Sequence, residues 1–114
     1  MQRLTLGMLM KKSGCREEDI GAIFAGDLLN QCAASSYGLV DFAVPYFGLY
    51  GACSTAAEGI MLSSVFVSKG LADYAAAVTS SHNAAAERQF RLPLEYGGQR
   101  PPTAQWTVTG AGSV

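Results

Sequence analysis

The chain has 114 residues, 49 % of them apolar and 15 % charged, with a net charge of −1. That is enough for one small domain. No basic tract stands out, so nucleic-acid binding has no electrostatic support. So few charges on so small a chain imply that part of its apolar surface is covered by something else, another subunit or more chain.

The elements follow in order. Residues 2–12 form the end of an amphipathic helix, with Leu4, Leu6, Met8, Leu9 and Met10 apolar and Lys11 and Lys12 suited to its C-terminus. Ser13-Gly14 stops it. Arg16 to Asp19 is a charged surface turn. Ile20 to Ala25 reads as a short buried strand ending at Gly26-Asp27. Residues 28–44 predict a helix limited by Pro45. Tyr46 to Tyr50 is a buried strand, Gly51 to Ser54 a tight turn, and Thr55 to Ser68 a helix closed by Gly70. Thr55-x-x-Glu58 matches a capping box, and Ser54 can serve as the cap equally well. Tyr74 to Thr79 is another buried strand. A polar, Gly/Pro-containing stretch covers 82–102, opening on a short helix from Asn83 to Phe90. Gln105 to Thr109 is the last strand. Strands alternating with helices predict an α/β fold with a mainly parallel sheet.

The apolar N-terminal residues precede the lysine pair, the reverse of a secretory signal. The longest apolar run, Phe42 to Ala57, is interrupted by Pro45, Gly48 and Gly51, so no direct membrane span is expected. The three cysteines, Cys15, Cys32 and Cys53, are odd in number and lack a metal-ligand spacing. Free thiols are expected, and no metal or cofactor.

The sharpest local feature is Gly51-Ala52-Cys53-Ser54-Thr55 between a strand and a helix. A thiol at a helix N-terminus meets unpaired N–H groups and the positive end of the dipole, which favour the thiolate. A small buried core cysteine explains the same residue equally well. His82, the single histidine, follows the strand Tyr74–Thr79. Parallel strands end on one side, where ligands collect, so His82 can face Cys53 across a pocket. It can also be a plain loop histidine. Arg88 and Arg91 sit three apart, on one face of a helix, and with Arg100 can hold a carboxylate. Pairing with Glu87 and Glu95 on a solvated face explains them at least as well. Asp27, Asn30 and Gln31 sit at the same sheet edge, as pocket residues or as helix caps.

Four segments carry a resemblance: AGDLLNQ (25–31), GACSTAAEG (51–59), TSSHNAAAERQFRLPLEYGGQRP (79–101) and TVTGAG (107–112). In order and spacing they resemble the stage V sporulation protein AD family of the thiolase-like superfamily. The long third segment is the specific one, since related nucleophile turns occur in ketoacyl-ACP synthases and thiolases. The resemblance implies a thiolase-like α/β fold, with residues 1–114 a single incomplete domain from its N-terminal half. It implies a non-catalytic component of the spore dipicolinate uptake system, binding dipicolinic acid through Cys53, His82, Asn83, Arg88 and Arg91. The implied partners are the other proteins of that uptake complex. The implied place is the cytoplasmic side of the developing spore, peripheral to its inner membrane. A homodimer beside helix 55–68 is also implied. The alternative is an acyltransferase of the thiolase or ketoacyl-ACP-synthase type, with Cys53 as nucleophile.

Overall fold

The fold was obtained as a computed structural model, which describes residues 1–82 and 110–114. Its elements are α1 (Gln2–Ser13), β1 (Ile20–Gly26), α2 (Ala33–Leu39), β2 (Tyr46–Gly48), α3 (Thr55–Ser68), β3 (Tyr74–His82) and β4 (Gly110–Ser113). The strands form one sheet in the order β2-β1-β3-β4. β1 runs parallel to both β2 and β3, and β4 is antiparallel to β3. This is the expected α/β fold with a mainly parallel sheet, compatible with part of a thiolase-like fold.

The two faces of the sheet are set by the two-residue period of its strands. On one face Phe24 of β1 stacks on Phe47 of β2 at 5.1 Å and meets the edge of Phe66 of α3 at 4.9 Å. Gly59 of α3 lies against Ala77 of β3 on that same face. On the other face Ile23, Ala25, Ala76 and Val78 pack with Leu6 of α1 and Leu39 of α2. Helices thus cover both faces, and β1 is buried along nearly its whole length.

α1 ends where Gly14 takes a left-handed conformation (φ 74°) and donates its N–H to the Met10 carbonyl. Its buried stripe is Gln2 and Leu6, continued by the partly buried Leu9 and Met10, whereas Leu4 and Met8 face outward. The expected apolar face therefore holds one glutamine and omits two of the expected residues. The turn at Arg16 to Asp19 is a short 3-10 helix, fixed by a two-pronged Arg16–Asp19 pair at 2.9 and 3.2 Å. That guanidinium holds the Asp19 carboxyl below its ordinary range.

The helix expected over 28–44 is shorter. A 3-10 turn covers Asn30–Cys32, Gln31 and Cys32 both take positive φ, and α2 spans only Ala33–Leu39. The cause is Asp27, whose carboxylate accepts the N–H groups of Leu29 (2.8 Å) and Ser35 (2.7 Å). Both bonds draw the chain off a continuous helical path. β2 stops at Gly48, short of the expected Tyr50. β3 runs three residues beyond Thr79, so His82 is its last residue and not part of a loop. β4 forms at Gly110–Ser113; the strand expected at 105–109 lies outside the described residues.

Candidate functional site

The parallel strands deliver Gly26-Asp27, the turn after β2, and the end of β3 to one edge of the sheet. Ligands gather at such an edge in open α/β sheets. Here it holds an open cleft of about 370 Å³, walled by Asp27, Leu28, Cys53, Thr79, Ser81 and Ser113 among others.

Cys53 is placed by the turn between β2 and α3. Gly51, Ala52 and Ser54 bring it to the first turn of α3, with Ala52 at φ 49° in the sparsely occupied left-handed region. The thiol is free and exposed, as a ligand-facing residue requires. Neither expected cap forms a reciprocal box. Thr55 is buried, and its hydroxyl accepts the Gly51 N–H at 3.1 Å. The Ser54 hydroxyl lies 2.7 Å from the Gly51 carbonyl and 2.8 Å from the Glu58 carboxylate, and can donate to either. These bonds close the turn on itself and fix the direction in which Cys53 leaves the chain.

Asp27 is the structural centre of the edge. It is 5 % exposed and accepts from Leu29, from the Ser35 N–H and from the Ser35 hydroxyl at 2.6 Å. Ser35 is the third residue of α2, so Asp27 caps that helix from a distance in sequence. Gln2 of α1 completes the network: its Nε2 donates to the Gly26 carbonyl (3.0 Å) and to Ser35 Oγ (2.8 Å). The Ser35 hydroxyl already gives its proton to Asp27, so the Gln2 amide can be oriented only one way. Of the other two polar residues expected here, Asn30 accepts a bond from the Tyr50 hydroxyl at 3.0 Å, and Gln31 is exposed in the turn before α2.

His82 is not brought into the Cys53 cleft. Ala77 faces α3, so by the strand period Thr79 and Ser81 share that face. Ser80 and His82 share the opposite face with the core residues Ala76 and Val78. His82 instead lines a smaller neighbouring cleft of about 160 Å³, with Gln2, Leu29 and Ala34. Asp27, Leu28, Ser80 and Ser81 border both clefts. The expectation that His82 faces Cys53 across one pocket is thus corrected by strand parity. Asn83, Arg88 and Arg91, the remaining expected ligand residues, lie outside the described residues.

Of the other thiols, Cys32 is buried and donates to the Leu49 carbonyl at 3.0 Å, behind the cysteine turn. Burial pushes its thiol above the ordinary range, and does the same to the nearby Tyr46 phenol. Cys32 fits the structural role read from sequence. Thr79, Ser81, Ser113 and Gln2 were not singled out in the sequence. Period two from Ala77, which faces α3, would have found the first two. Gln2 is legible only as a polar residue four before Leu6 on the same helical stripe.

These elements define an α/β protein with an open, largely apolar cleft, edged by hydroxyls, beyond the carboxyl ends of its parallel strands and an exposed cysteine on its rim. The chain belongs to the Stage V sporulation protein AD family, whose model matches residues 1–114. It is 47 % identical over 109 residues to the stage V sporulation protein AD of Bacillus subtilis (strain 168), a match that covers 96 % of this chain. The chain spans 32 % of that relative's length.

Proposed function

We propose that this sporulation-family chain forms part of a non-catalytic dipicolinic-acid-binding component of the spore's dipicolinate uptake system. The single observation that supports the non-catalytic reading is the separation of His82 from Cys53. Among the described residues, His82, the candidate base for that thiol, lines the neighbouring cleft and not the one that Cys53 borders. The chemistry of the cleft supports binding. Its size suits a small planar acid. Hydroxyls of Thr79, Ser81 and Ser113, with the first turn of α3, offer donors to carboxylate oxygens. Cys53 then lines the cleft without forming a bond. Asn83, Arg88 and Arg91 are proposed to supply the remaining polar and positive contacts.

The proposed partners are the other proteins of the uptake complex, which would hold the protein at the cytoplasmic side of the spore's inner membrane. No helix among the described residues is long and apolar enough to cross a membrane. A homodimer beside α3 would cover its exposed Ile60, Met61 and Val65.

A titration of dipicolinate by calorimetry tests the reading. Saturable heat that is lost on filling the cleft with Ser81→Leu is expected. Absence of heat in a full-length family member would remove it.

One observation favours a second reading, acyl transfer by Cys53: the thiol is exposed, at the start of a helix, after a residue in the left-handed region. Mass spectrometry after incubation with an acyl-CoA would then show an acyl adduct on Cys53. No adduct is expected if the cleft only binds.

A further inference from the structure

We propose that Asn30 and Tyr50 form a latch between the loop after β1 and the cysteine turn, and that both are positioning residues for the Cys53 cleft. Three stretches line that cleft: the end of β1 with the loop that follows it, the cysteine turn with the start of α3, and the ends of β3 and β4. The first two are tied to each other outside the cleft. The Tyr50 hydroxyl donates to Asn30 Oδ1 at 3.0 Å, and the Cys32 thiol donates to the Leu49 carbonyl at 3.0 Å. None of these four residues lines the cleft, so each acts on it through the stretch that it holds.

The two ties differ in burial, and so in what they do. Leu49 is held twice: its N–H donates to the Ala25 carbonyl at 2.8 Å, and its carbonyl accepts from the buried Cys32. Little water competes there, so this tie is a fixed pivot. Tyr50 is 57 % exposed, and its bond to Asn30 can exchange for bonds to water while the core stays packed. The outer tie therefore opens locally, about the inner one.

The loop backbone depends on these ties. Gln31 and Cys32 take φ of 58° and 52°, a left-handed conformation that residues other than glycine hold only where their surroundings impose it. Asp27 fixes the start of the loop through the Leu29 N–H, and α2 fixes its end. Asn30 lies between these anchors, and the bond from Tyr50 joins it to the chain that leads to Cys53. Opening the latch frees both stretches at once, and the coupling runs equally in either direction. That the latch controls the entry of a small acid rests on the proposed function; the coupling of the two stretches does not.

Amide hydrogen exchange in a full-length family member carrying these residues tests the coupling. Tyr50→Phe keeps the ring and removes only the hydroxyl. It should speed exchange across the bond, at Leu29 to Cys32, by roughly two- to tenfold, the range that one neutral hydrogen bond spans. Asn30→Ala should do the same at Gly51 to Ser54. Asn30→Asp keeps the acceptor and should match the unaltered protein in both stretches. Unchanged exchange in β1 and α3 would separate an opened latch from a general loss of stability. Faster exchange confined to the altered residue's own stretch, or no change in any variant, would overturn the proposal. Coupled exchange in a protein that gives no heat with dipicolinate would uphold the latch and remove the binding reading.

Discussion

Asp27 accepts three hydrogen bonds through two oxygens, from Leu29 and twice from Ser35, while almost fully buried. An asparagine of the same shape must turn an N–H₂ group toward one of those donors. Asp27→Asn should therefore destabilise the protein by about 1–3 kcal/mol, the usual cost of an unmatched buried polar contact. Urea denaturation measures it, and an unchanged midpoint would show that the network is not structural. The cysteines give a second prediction at this scale. Cys53 is exposed and Cys32 buried, so iodoacetamide should label Cys53 in the native protein and Cys32 only after unfolding. Peptide mass spectrometry reads both. Similar labelling rates would contradict the placement of the turn.

The elements that ordinary sequence signals define were legible. α1 and α3 carry the residues and the glycine stops of helices, and β1 is a short apolar run bounded by charge and glycine. The break at Asn30–Cys32 was not legible, because its cause is a carboxylate several residues earlier gripping Ser35, which propensity does not register. The cysteine turn was legible as strand–turn–helix. The side to which His82 points was not, because the strand was expected to stop at Thr79 and its period was not carried on to position 82. Close approach adds a prediction for the elements. A Cβ at Gly26 would overlap the Leu49 carbonyl and come within 2.5 Å of the Thr55 methyl. Gly26→Ala should cost about 1–3 kcal/mol, as overpacking does, and loosen the turn that presents Cys53. A thermal melt checks this, and a wild-type Tm would contradict the packing.

At the scale of the molecule, burial raises both the Cys32 thiol and the Tyr46 phenol, and both belong to the layer where α2 meets β2. The folded state favours their neutral forms. Their contribution is complete below the ordinary thiol and phenol ranges. Above them the unfolded chain releases these protons first, so stability falls as pH rises through the folded values. Urea midpoints should therefore decline on the alkaline side, and Tyr46→Phe should flatten part of that decline. The low charge of the chain is matched by exposed apolar residues on α1 and α3, among them Leu4, Met8, Ile60 and Met61. Such a surface suits a protein that is covered in its assembly.

Under the proposed function, the Cys53 cleft binds dipicolinate without chemistry. The most direct measurement is calorimetric titration of dipicolinate into a full-length family member, unaltered, with Cys53→Ala and with Ser81→Leu. Saturable binding by the full-length protein that survives Cys53→Ala and disappears with Ser81→Leu is the predicted result. No heat from the full-length protein, or binding abolished by Cys53→Ala together with a covalent adduct in the unaltered form, would contradict it.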